Sequence, residues 1–151
     1  MNVLAIQSNK KSILFLCTGN SCRSQIAEGY AKFYLKDYHI SSGGTNPEFV
    51  NPYAIKVMQN LNIDISYHKS KKVSLNDFNK FDLIITLCGD AKDNCPIIGT
   101  SKHIHWDIED PARYEAPDHE LIKKYSKIRD IIINRIKLLK LDLDNQIINE
   151  V

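Results

Sequence analysis

Ser12–Ser24 reads SILFLCTGNSCRS. Its first half, Ser12 to Cys17, is a short apolar run of the kind that forms a buried strand. The second half is polar and turns through Gly19 and Asn20. From Arg23 to Lys36 apolar residues return at helical spacing, with Ile26, Ala27, Tyr30, Phe33 and Tyr34 on the expected inner side. A strand, a glycine-containing turn and a helix follow one another without a gap.

The same alternation continues outward. Tyr38 to Ser42 reads as a second strand, closed by Gly43-Gly44. Asn51-Pro52 opens a second helix, because Asn caps well and Pro suits the first helical position. Ile55, Met58 and Leu61 have the spacing of its inner face. Ser74 to Lys80 reads as a short third helix. Phe81 to Cys88 (FDLIITLC) is the strongest strand, and Lys102 to Trp106 (KHIHW) a last, shorter one. Asp118 to Lys140 reads as a long helix with Leu121, Tyr125, Ile128, Ile132, Ile136 and Leu139 on one stripe. Strands alternating with helices predict an α/β fold: a single-domain three-layer sandwich over residues 1–151, with a central parallel sheet of about four strands flanked by helices. Met1 to Lys11 is expected to be a lead-in and residues 141–151 a frayed tail. Ligands of such sheets bind at the carboxyl ends of the strands. Cys17 and Cys88 both stand there.

Composition narrows the function. A chain of 151 residues buries roughly two thirds of its unfolded surface and needs no disulfide or metal to fold. A net charge of +2 is too small to argue for nucleic acid and does not repel an anion. No apolar stretch is long enough to span a bilayer, and Met1 to Lys11 lacks a signal peptide's pattern. The reading is a cytoplasmic protein. Four cysteines in that reducing compartment point to redox, metal or nucleophile chemistry.

The loop Cys17-Thr18-Gly19-Asn20-Ser21-Cys22-Arg23-Ser24 joins the first strand to the first helix. Successive backbone N–H groups there, with the helix N-terminus, can enclose a tetrahedral oxyanion. Gly19 is expected to let the chain curl around it. Arg23 can fork onto two of its oxygens. Cys17 lies at the base, where these groups and a hydrogen bond from Ser24 favour the thiolate. The set describes a nucleophile facing a bound anion. Cys17 and Cys22 also have a zinc-like separation, but no His-x3–5-His or second close cysteine pair completes such a site.

Ile13 to Glu28 (ILFLCTGNSCRSQIAE) resembles the signature of the low-molecular-weight tyrosine phosphatase superfamily, and within it the thioredoxin-coupled arsenate reductases. The resemblance runs from about Ser12 into the last helix. Leu87 to Pro96 (LCGDAKDNCP) is similar to the reductases, in which two such cysteines relay oxidation. It implies that Cys17 attacks arsenate, Cys88 then attacks Cys17, and Cys95 attacks Cys88. Thioredoxin reduces the resulting disulfide. The segment between Cys88 and Cys95 can form a short helix, capped by Asp90 and stopped by Pro96. Residues seven apart on a helix are about 10 Å apart along the axis. A disulfide needs Cα atoms within about 7 Å, so oxidation requires the segment to unwind or loop out.

His105 to Ala112 reads HWDIEDPA. Asp107, Glu109 and Asp110 are rival acids on chemistry alone. The resemblance selects Asp110, before Pro111, as the general acid. Where the phosphatases carry an aromatic pair, Ala112-Arg113 follows, as in the reductases. Some arsenate reductases hold a potassium ion beside the loop. Asn20, Glu28 and Ser42 match that site, but Lys71 stands where a further acidic ligand is implied, so no metal is expected. No organic cofactor is expected either, and His68 receives no role. The expected ligand is arsenate or phosphate, and the expected partner of a monomer is thioredoxin. The alternative is a phosphatase working through a Cys17 phosphoenzyme. A thiol sensor without turnover is the third reading.

Overall fold

A computed structural model describes residues 10–89 and 102–145. Four parallel strands form the sheet: β1 (Ser12–Cys17), β2 (His39–Gly44), β3 (Leu83–Thr86) and β4 (Lys102–His105). Their order is β2-β1-β3-β4. The chain leaves β1 toward one edge and later returns to pair β3 on its other side. This reversal puts a crevice at the carboxyl ends of β1 and β3, the place where an open α/β sheet takes its ligand.

Alternation along the strands makes two cores. Ile13 and Phe15 of β1, with Leu83 and Ile85 of β3, face α1 (Arg23–Tyr34), α2 (Pro52–Gln59) and α4 (Asp118–Asp144). Leu14, Leu16 and Ile84 face the opposite side, where Phe78 of the short α3 (Leu75–Phe78) packs with Cys17 and Cys88. The α/β expectation holds, and among the described residues α1, α2 and α4 cover one side of the sheet and α3 the other.

Several boundaries and faces differ from the sequence reading. α4 runs one turn past Lys140, to Asp144. Leu143 continues its buried stripe four residues after Leu139, and Lys140 pairs with Asp144 at 2.7 Å. The tail expected to fray from residue 141 is therefore helical as far as Asp144, and residues 146–151 lie outside the described residues. In α2 the buried residues are Ala54, Val57 and Met58. Leu61 lies beyond that helix and is exposed. Phe33 of α1 is also exposed, because Ile26, Ala27, Tyr30 and Ala31 already complete the buried face. α3 is a single turn, closed by reciprocal bonds between Ser74 and Asp77.

Gly44, the last residue of β2, pairs with Cys17. A Cβ on Gly44 would lie 2.5 Å from Thr18 O and 2.9 Å from Asn20 N. The sheet and the loop after β1 meet backbone to backbone, and only glycine allows it.

Candidate active site

The loop is held from outside. Asn46 N donates to Thr18 O, Glu48 N to Gly19 O and Asn51 N to Ser21 O, all within 2.9 Å. Asn20 O accepts from Ser70 Oγ at 2.7 Å and from Gln25 Nε2 at 3.1 Å. C=O and N–H point oppositely in a trans peptide. Four outward carbonyls therefore turn the amides that follow them toward the inside of the loop. Arg23 opens α1 at the same point, so a helix N-terminus adds its partial positive charge.

Asn20, rather than Gly19, takes the left-handed turn, with φ of 47°. A Cβ on Gly19 would meet only ordinary contacts at 3.6 Å. Asn tolerates this conformation, and here its side chain is fully used. Nδ2 donates to Ser24 Oγ at 2.8 Å and to Ser42 Oγ at 2.9 Å. Oδ1 accepts from Lys71 N at 2.9 Å and Gln25 Nε2 at 3.1 Å. Since Ser24 Oγ accepts from Asn20, its own hydrogen is free for Cys17 Sγ, 2.8 Å away. The arrangement aims a hydroxyl donor at Cys17 Sγ.

Arg23 is braced across the crevice. Nη1 donates to Ile108 O at 2.8 Å and Leu87 O at 3.3 Å, and Nη2 lies 3.6 Å from Asp110 Oδ2. Asp110 Oδ1 accepts from Ala112 N, capping a turn at Pro111–Arg113. The rival Glu109 is committed elsewhere, to Lys124 Nζ at 2.6 Å and to the Tyr114 hydroxyl. Trp106 and Ile108 are buried on either side of exposed Asp107, so this segment is fixed by the main core while Asp110 reaches the loop. All three acids line the same cleft, and among the described residues Asp110 is the one of them paired with Arg23. Cys17, Arg23, Cys88 and Asp110 line one open cleft of about 640 Å³, with Glu48 and Tyr114 at its wall.

Cys88 follows β3 and is buried, with Sγ 3.2 Å from Thr18 Oγ1. Cys95 lies outside the described residues. Cys22, expected among the anion-binding residues, contributes its backbone to the loop, but its side chain packs in the main core. Burial, then the charge of Cys17, push its thiol well above the usual range. Cys17, Cys22 and Cys88 are all free thiols. Cys22→Ser should keep at least about half of the activity at saturating substrate and lower stability by roughly 1 kcal/mol, the scale of one poorly placed buried hydroxyl. Kinetics beside thermal melting check this, and complete loss in a folded variant would place Cys22 in the chemistry.

Sequence reasoning missed Gln25 and His68. Gln25 directs its amide at Asn20, while His68 Nδ1 donates to Gln25 Oε1 at 2.9 Å. Gln25 and Glu28, two long polar residues three positions apart on one buried face of the helix, were the available signal.

A loop of this build on this sheet defines an oxyanion-binding α/β enzyme of the phosphatase type. The family model for low molecular weight phosphotyrosine protein phosphatase matches residues 12–149, and the chain belongs to that family. Within it, an arsenate reductase of Halalkalibacterium halodurans is 47% identical over 131 residues, covering 85% of this chain and 94% of its relative. One from Bacillus subtilis is 46% identical over 131 residues, covering 84% and 93%. A solved arsenate reductase in the phosphate binding state superimposes with a TM-score of 0.72 at 31% identity, covering 85% of this chain and 95% of that one. Among the described residues, no helix is long and apolar enough to cross a membrane.

Proposed function

We propose that the protein reduces arsenate to arsenite through a Cys17, Cys88, Cys95 relay reset by thioredoxin. The observation that carries this reading is Cys88 Sγ, 3.2 Å from Thr18 Oγ1 in the cleft of Cys17. A second thiol in the cleft has no task in phosphoryl transfer. A two-electron reduction requires one. The relatives named arsenate reductase support the same substrate.

The loop amides and the Arg23 fork hold the oxyanion and screen its charge from the nucleophile. Cys17 Sγ attacks arsenic, and an oxygen leaves as water after taking a proton from Asp110. Cys88 thiolate then attacks Cys17 Sγ. The sulfur–arsenic bond breaks, its electron pair stays on arsenic, and arsenite leaves. The two cysteines are oxidised to a disulfide as arsenic is reduced by two electrons. Cys95 thiolate attacks Cys88 Sγ and releases Cys17 as thiolate. A thioredoxin dithiol reduces the Cys88–Cys95 bond. In this scheme the enzyme is a cytoplasmic monomer with no cofactor of its own.

Phosphomonoester hydrolysis can use the same loop and Asp110, so weak phosphatase activity is compatible with this assignment. With thioredoxin, its reductase and NADPH, arsenate should drive NADPH consumption that continues over many turnovers. A chain that hydrolyses aryl phosphates yet consumes no NADPH with arsenate would be a phosphatase instead.

A further inference from the structure

Behind the oxyanion loop, the Glu28 carboxylate is buried at 2% exposure. Its Oε1 accepts from Ser42 Oγ at 2.8 Å and faces Lys71 Nζ at 3.4 Å. Its Oε2 faces Lys32 Nζ at 3.1 Å and His68 Nδ1 at 3.2 Å. Burial alone would raise its pKa, but the Ser42 hydrogen bond and the ammoniums of Lys71 and Lys32 hold it below the ordinary carboxylate range. Ser42 and Asn20 then connect this carboxylate to Ser24 and so to Cys17.

These donors leave no fit for the potassium ion that the family resemblance implies. Asn20 Oδ1 already accepts two hydrogen bonds, and both Glu28 oxygens face cationic or N–H groups. A further monovalent cation would meet two ammonium charges within the same cluster. Lys71 Nζ also contacts Lys69 O at 3.3 Å. Its ammonium therefore touches a carboxylate oxygen and a backbone carbonyl, the oxygen types that coordinate a hard cation.

We propose that Lys71 is a positioning residue whose ammonium serves as the loop's built-in cation, fixing Glu28, Ser42 and Asn20 so that oxyanion binding needs no added monovalent ion. The role rests on the Cys17 loop binding an oxyanion but not on arsenate reduction. Lys32 is a weaker substitute, because it bonds the other carboxylate oxygen and comes from the same helix as Glu28, so it ties no second segment to the carboxylate.

Binding of inorganic phosphate to the reduced protein, followed by calorimetry at fixed ionic strength, tests this. The wild-type Kd should agree within about twofold between choline chloride and potassium chloride. Lys71→Met should bind about fivefold more weakly in choline chloride, the loss of one half-exposed charge-assisted contact, and potassium should restore most of it. Lys71→Arg should behave as wild type. A merely structural lysine would give a loss that no cation rescues. That result, an unchanged Lys71→Met affinity, or a wild-type Kd improved severalfold by potassium over choline overturns the proposal. Wild-type protein that binds no phosphate overturns the loop assignment with it. The wild-type comparison of the two salts tests the role of Lys71 even where Lys71→Met folds poorly.

Discussion

Cys17→Ser protein should form no arsenite and no Cys17–Cys88 disulfide, with turnover reduced at least about 10⁴-fold. Serine has nearly the shape of cysteine, and the loop around it should survive. Thr18, Gly19, Asn20 and Ser21 are held by bonds from residues 25, 46, 48, 51 and 70, none of which uses Cys17 Sγ. The loss is therefore chemical. Ser24 Oγ, 2.8 Å away, can donate to a thiolate but is no base for a hydroxyl. Serine thus stays protonated and weakly nucleophilic. Arsenite release and peptide mass spectrometry supply the readouts, with phosphate calorimetry showing that the anion still binds. Wild-type turnover by the serine variant would move the nucleophile elsewhere.

The parts of this site that share a short stretch of sequence were readable from it. A buried strand, a turn and Arg23 at the start of a helix lie within Ser12–Ser24, and backbone geometry makes the cradle. The long stripe from Tyr125 to Leu139 was equally legible, since burial along a helix is periodic. What failed depends on contacts between distant segments. Asn20, not Gly19, takes the left-handed turn because bonds from Gln25 and Lys71, together with those to Ser24 and Ser42, fix its side chain. Asp110 differs from Glu109 only after folding brings Lys124 to one and Arg23 to the other. Leu61 looked like core because hydrophobicity outweighed position, whereas small Ala54 and Val57 let α2 approach its neighbours. His68 had no sequence pattern, because it stands in a loop and its partners Gln25 and Glu28 come from α1, some forty residues earlier.

Cys95→Ser protein should release about one equivalent of arsenite and then stop, because the proposed relay oxidises Cys17 and Cys88 before Cys95 acts. The trapped species should be a Cys17–Cys88 disulfide. Both residues are buried and line the same cleft. A thioredoxin thiolate must approach a disulfide nearly in line with its sulfur–sulfur bond, so a bridge between two buried cysteines should be reduced slowly. Steady turnover should fall at least about 100-fold while the first-turnover burst remains, as expected when a step after chemistry is blocked. Aryl phosphatase activity of the reduced variant should persist, since phosphoryl transfer needs Cys17, Arg23 and Asp110 but no electron acceptor. The split separates a broken relay from a damaged loop, which would suppress both activities. Peptide mapping after acid quench identifies the bridge. Full thioredoxin-driven turnover would remove Cys95 from the relay, and a Cys17–Cys22 bridge would give Cys22 the task proposed for Cys88.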